Sequence, residues 1–284
     1  MKLLPPSLWS LLVGIVFFPA LAFSDVVSDK MQKFVDEGVV SGVVTLVAGR
    51  GGVEHFEAVG KSDLASGRAM HKDDLFWIAS MTKPMTALCV LMLQEEGKLS
   101  IDDPVEKHLP EFKAQWLVEK KEADRMSLVR PARSVTLRDL LTHTSGLGDV
   151  KPPRPFSTLA ELVMAYSREP LQFQPGSQWR YSNPGINTLG RIVEVVSGMG
   201  FAEFMQQRIF NPLGGELDGH RLLGRDTVKL MTTTQSGDIK TGFVEGMSWG
   251  LGFQVVKEPQ GATEALAPGS FGHGGAYATQ SWAD

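Results

Sequence analysis

Strand-like sequence lies at both ends of this chain, and almost everything between them has helical spacing. That order restricts the fold more than any other feature. Residues 43–48 and 55–59 read as two strands, and the Gly49-Arg50-Gly51-Gly52 joint between them predicts a hairpin. A short helix over 30–38 precedes them. From Ser80 to about Glu96 the apolar period becomes helical, with Gly97 suited to the position after a helix end. Pro84 confines the start of that helix to near Ser80, because proline is comfortable only in the first turn. Thr136 caps a further helix, with Asp139 three residues on as in a capping box, and residues 156–167 and 187–197 keep helical spacing. Strand character returns at 251–256 and 276–282. The order predicts one domain over 25–284, with 25–79 and about 235–284 forming an α/β lobe and about 80–234 inserted as a helical lobe.

With 43% hydrophobic and 21% charged residues in 284, the chain has the balance of a globular protein. A formal net charge of -4 and the lack of any Lys/Arg-rich run argue against nucleic acid and anionic membranes as partners. At the N-terminus, Lys2, the apolar run 8–18 and the small residues Ala20 and Ala22 read as a signal peptide over 1–24. The run is too short for a comfortable membrane span, so membrane association is expected only if this segment stays uncleaved. The expected location is secreted or periplasmic. Cys89 is the single cysteine, so no intrachain disulfide exists, and its setting among Met85, Leu88 and Met92 makes it a core residue.

Three stretches can carry chemistry. In Ser80-Met81-Thr82-Lys83 a serine and a lysine three apart share a helix face. A desolvated lysine can lose its proton and activate the serine, and the helix start offers free backbone N–H groups to an oxyanion. In Tyr181-Ser182-Asn183 a tyrosine whose pKa is lowered by a nearby lysine can shuttle a proton, and the Asn183 amide can orient a carbonyl. In Gly272-His273-Gly274-Gly275-Ala276 the glycines admit a substrate close to the backbone, and the Ala276 N–H can serve an oxyanion.

Competing strings exist. Gly246-Met247-Ser248-Trp249-Gly250 has the Gly-x-Ser-x-Gly form, but that elbow needs a helix after the serine, and strand-like, glycine-broken sequence follows here. His143, in Thr142-His143-Thr144-Ser145-Gly146, is read as a histidine whose ring ties down a turn rather than as a base for Ser145. The histidines show no metal-ligand spacing.

Taken in order, the three stretches resemble the serine β-lactamase and penicillin-binding-protein superfamily, and this variant looks like class C β-lactamases and their esterase and D-peptidase relatives. Residues 95–104, 140–147 and 249–253 are similar as well, so the resemblance runs from about Val27 to the end. It implies an antiparallel sheet flanked by helices, a helical lobe, and acylation of Ser80 with Lys83 and Tyr181 sharing the base and acid roles. The N–H groups of Ser80 and Ala276 would form the oxyanion hole, with no metal or organic cofactor. Lys240-Thr241-Gly242 matches the family's third motif literally, but His273-Gly274-Gly275 follows the Trp249 stretch in the family's order and is preferred. Relatives continue past the position of Asp284 with further strands and a closing helix, so the chain is expected to be a fragment. The expected activity is hydrolysis of small carboxylic esters, since His273 stands where many penicillin-recognising relatives carry a lysine, although some D-peptidases carry histidine there too. The alternatives are a β-lactamase, a D-alanyl-D-alanine carboxypeptidase, or a non-catalytic or truncated penicillin-binding-type protein.

Overall fold

The structure, a computed structural model, describes residues 21–150, 152, 157–213, 222–242 and 244–284. A first unit ends at Phe76 and a second spans Trp77–Asp284, and each is described on its own.

In the first unit α1 (Leu21–Asp36) packs on a three-stranded antiparallel sheet. The helix starts earlier than predicted because no glycine or proline interrupts residues 21–37. β1 (Gly42–Gly49) and β2 (Gly52–Asp63) pair through the expected glycine joint, with a bulge between Val47 and Ala48, and β3 (Arg68–Ala69) pairs with β2. The apolar run 8–18 lies outside the described residues. Among those described, no helix is long and apolar enough to cross a membrane.

The second unit is built around α2 (Thr82–Glu95). Its buried positions include Ala87, Cys89, Val90, Leu91 and Leu93, so it is apolar on nearly every side, as a core helix is. Pro84 falls in the first turn, and Gly97 takes φ +68° beyond the end. Burial pushes the Cys89 thiol up to about 12, which leaves it a packing residue. The predicted Thr136–Asp139 capping box opens α3 (Leu137–Leu141), and a second, Thr158 with Glu161, opens α4 (Leu159–Arg168). α5 (Asn183–Ser197) packs against α2, α3 and α4 through an apolar face that includes Leu189, Ile192 and Val193. α6 (Phe201–Met205) passes through a π turn at Gln206–Phe210 into α7 (Asn211–Leu213), and α8 (Arg225–Thr232) follows.

Two features depart from the sequence reading. The middle stretch holds an antiparallel hairpin, β4 (Leu117–Lys121) with β5 (Met126–Val129); β4 turns charged after its first two residues and β5 spans only four, so neither shows a sustained strand period. The C-terminal strands are also shorter and shifted. β6 (Met247–Trp249), β7 (Gln254–Val256), β8 (Phe271–Gly274) and β9 (Gln280–Ala283) pair consecutively and antiparallel. Leu251, Gly252 and Phe253 form a bend instead of a strand, because Gly252 sits at φ +83° with its backbone pressed on α2. A Cβ there would lie 2.7 Å from that of Ala87. Gly272 and Gly274 fall inside β8 and Gly275 just after it, and Ala276 begins a turn rather than a strand.

Candidate active site

Ser80 occupies a tight 3-10 turn, Ala79–Met81, directly before α2. Ala79 holds φ +46°, a left-handed conformation that costs a non-glycine residue about 1–3 kcal/mol and is typical of backbone constrained at a working site. One turn on, the Lys83 ammonium donates to Ser80 Oγ at 2.9 Å. Lys83 is only 7% exposed, and burial lowers its pKa from 10.5 to about 8. Near pH 8 a large share of the amine is therefore neutral, and the same contact can reverse so that the serine hydroxyl donates to the nitrogen lone pair.

The Tyr181 ring lies 4.8 Å from Lys83 Nζ. The sequence reading expected its hydroxyl to be acidified by the lysine; it is raised above 10 instead. Burial dominates, and a hydrogen bond with Ser80 only partly offsets it. At neutral pH Tyr181 is thus a phenol, able to give a proton. Ser182 caps α5 by accepting from Gly185 N–H at 3.1 Å. Asn183, the first residue of that helix, is exposed and does not line the cavity described below.

His143 holds this segment from beneath. Fully buried at φ +60°, it accepts the Ser182 N–H on Nδ1 at 3.2 Å, and its carbonyl accepts the Arg180 N–H at 2.9 Å. Tyr181 is thereby fixed on both sides. The histidine does tie down backbone, but that of a segment 39 residues away rather than its own turn. Burial first, then the charges of Lys83 and His273, depress its pKa well below 6.5, so the ring is a neutral acceptor. Trp249, nearly inaccessible to solvent, packs against both rings, with centroids 4.8 Å from His143 and 6.0 Å from Tyr181. Trp179 packs against Tyr181 and Trp249, a support of the site that the sequence signals only by the aromatic pair in Trp179-Arg180-Tyr181.

β8 supplies the opposite wall. Ser80, Tyr181, His273, Gly274, Gly275 and Ala276 line one cavity of about 780 Å³, whose apolar side is closed by Val244, Met247 and Trp282. None of the described lining residues is Asp, Glu, Lys or Arg. His273 donates from Nδ1 to the Gly274 carbonyl at 2.6 Å, leaving Nε2 a buried lone pair, and burial lowers its pKa. Residue 275 must be glycine, since a Cβ would collide with the Ile78 carbonyl and Thr279 Oγ1. Its N–H donates to Thr279 O at 2.7 Å, and Thr279 Oγ1 donates to Ile78 O at 3.3 Å, which ties the 275–279 loop to the Ser80 turn.

The competing strings lie elsewhere. Ser248 sits within β6, 2% exposed, its hydroxyl 3.2 Å from that of Ser236, and a bend rather than a helix follows. Lys240 is exposed, pairs with Glu245 at 3.4 Å, and lines a separate cavity of about 140 Å³ that Ser80 does not reach. Among the described residues no three His, Cys, Asp or Glu side chains gather as a metal site.

Comparison with known proteins gives the same order of elements a lineage. A lovastatin esterase of Penicillium rubens is 35% identical over 198 residues, 64% of this chain and 49% of the esterase. Esterase EstB of Burkholderia gladioli is 36% identical over 190 residues, 61% of this chain and 45% of that protein. The chain thus spans about half the length of the curated relatives it matches. The solved structure of EstCE1, described as a hydrolase with promiscuous acyltransferase activity, shares the fold with a TM-score of 0.75 at 21% identity, covering 93% of this chain and 91% of its own. The family model described as Beta-lactamase matches residues 27–217, most of the chain and both the Ser80 and Tyr181 motifs, so the chain belongs to the β-lactamase family.

Proposed function

We propose that this protein is a serine hydrolase that cleaves small, uncharged carboxylic esters through a Ser80 acyl-enzyme. The observation that carries the reading is the 2.9 Å contact between a desolvated Lys83 and Ser80 Oγ at a cavity with no Asp, Glu, Lys or Arg among its described lining residues. Neutral Lys83 takes the hydroxyl proton as Oγ attacks the ester carbonyl. The oxyanion is received by the backbone N–H groups of Ser80 and Ala276. Tyr181, protonated at neutral pH, gives its proton to the departing alkoxide and recovers one from the Lys83 ammonium. Water then enters by the same route in reverse and releases the acid.

The choice of ester over β-lactam or D-peptide rests on charge. Those substrates carry a carboxylate, and His273, neutral and with its N–H already given to Gly274, offers it no cation. The esterase names of two relatives support the same choice. Export to a secreted or periplasmic location, on the strength of residues 1–24, belongs to the same proposal; an N-terminus at Leu21 or later in mature protein recovered from an exporting host would support it.

The test is hydrolysis of p-nitrophenyl butyrate and nitrocefin by the wild type and Ser80→Ala. Ester turnover that disappears in the variant, with little nitrocefin cleavage, is the expected result. Dominant nitrocefin cleavage would move the protein to β-lactam substrates, and ester turnover surviving in Ser80→Ala would remove Ser80 from the chemistry.

A further inference from the structure

Two aromatic rings stand in solvent on the chain segments that supply Ser80 and Ala276 to the cavity. Trp77 is 74% exposed and Tyr277 61% exposed, yet their centroids are 5.0 Å apart with planes inclined by 28°. Such a stack, held outside any core, keeps a broad apolar surface in water, a feature that marks binding sites. Its position is fixed by the chain. Trp77 lies three residues before Ser80, and Tyr277 follows Ala276, so the ledge continues the run of residues that lines the cavity. The links from Gly275 N–H to Thr279 O and from Thr279 Oγ1 to Ile78 O hold the two loops together, and the absence of space for a side chain at 275 keeps them close. The two rings are stacked on each other, and most of both side chains remains in solvent. A third ring can add to that stack without ordering any flexible side chain. Stacking needs no charge, which suits the cavity alongside.

We propose that the Trp77–Tyr277 pair is a stacking subsite for a flat ring carried by the ester substrate next to its scissile bond. This rests on the assignment of Ser80 as nucleophile, and the ring can belong to the alcohol or to the acyl part.

Equilibrium binding to the Ser80→Ala protein separates the two ideas. One arm compares 2-naphthylmethyl butyrate with decyl butyrate, the other ethyl 2-naphthoate with ethyl decanoate. In at least one arm the ring ester binds more tightly, and the arm identifies the side of the bond. Trp77→Ser and Tyr277→Ser, each added to Ser80→Ala, reduce that preference about 2- to 12-fold. With Ser80 restored, the ratio of kcat/KM between the ring and chain esters falls by a similar factor. Equal binding of ring and chain in both arms, or a preference that survives both substitutions, overturns the subsite. A ring preference that depends on Trp77 and Tyr277, in a protein without Ser80-dependent turnover, keeps the subsite and overturns the nucleophile instead.

Discussion

Ser80 and Ser248 both sit in strings that can announce a nucleophile, and the fold treats them in opposite ways. Ser80 stands on a strained turn ahead of a helix, lines the large cavity and touches a desolvated lysine. Ser248 lies within a strand, buried, with its hydroxyl engaged by Ser236. The difference lies in what each hydroxyl meets: a desolvated lysine at 2.9 Å beside the 780 Å³ cavity in one case, another hydroxyl at 3.2 Å beside a small 140 Å³ cavity in the other. A serine is made reactive by its setting.

The largest effect that can break this comparison is the paired substitution. Ser80→Ala is expected to lower ester kcat by about 10⁴-fold or more. Ser248→Ala should leave kcat within a few-fold and cost only about 1 kcal/mol of stability for the lost hydroxyl contact, read from denaturant titration. Comparable losses in both would erase the distinction.

Next in size, Lys83→Met should lower kcat by about 10²- to 10⁴-fold. It should also raise thermal stability at pH 7, because it removes a buried ammonium that has no carboxylate partner among the described residues. The sign follows from the depressed pKa. Between about 8 and 10.5 the unfolded lysine binds more protons than the folded one, so wild-type stability rises with pH across that window and the advantage of Met shrinks. A variant that melts lower than wild type at pH 7 would contradict this account. In the wild type, kcat/KM should climb about tenfold per pH unit below 8 and level above it as neutral lysine accumulates. Tyr181→Phe should cost about 10²-fold in kcat with little change in KM, since the phenol acts on the leaving group.

A smaller effect sharpens the role of the scaffold. His143→Leu strands the buried Ser182 N–H and should cost about 1–3 kcal/mol, plus the strain of leucine at positive φ. Asparagine tolerates that φ and can accept the same N–H, so His143→Asn should keep most of the stability. Because the folded His143 pKa lies well below 6.5, wild-type stability should fall as pH drops below that value, and His143→Asn should flatten the fall that His273 shares. Equal melting of the Leu and Asn variants would deny the hydrogen bond its role.

Much of this was legible in the sequence where local chemistry decides structure. The glycine joint of β1 and β2, Pro84 in the first turn of α2, Gly97 after its end and the Thr136–Asp139 box all act within a few residues, and each forms as read. What failed depends on distant partners. The hairpin of β4 and β5 is hidden because β4 runs into Glu119, Lys120 and Lys121 after two apolar residues, and β5, with four residues, is too short to sustain an alternation. The bend at Gly252 reflects its approach to Ala87 on α2, which no local pattern announces. Within the site, Ser80 and Lys83 were readable from a spacing of three, whereas the rise of the Tyr181 pKa comes from burial created by several elements at once. Asn183 illustrates the converse. Its string matched, but Ser182 takes the cap and the asparagine side chain is exposed.

The central claim is that Ser80, and not Ser248, is the nucleophile. Its most direct test is covalent trapping with the uncharged diester ethyl p-nitrophenyl hexylphosphonate, followed by mass spectrometry of the intact chain and its peptides. One stoichiometric adduct is expected on the peptide containing Ser80, forming faster as pH rises toward 8 and slowed strongly in Lys83→Met. An adduct on the peptide containing Ser248, or labelling of Ser80 that is indifferent to Lys83, would contradict it.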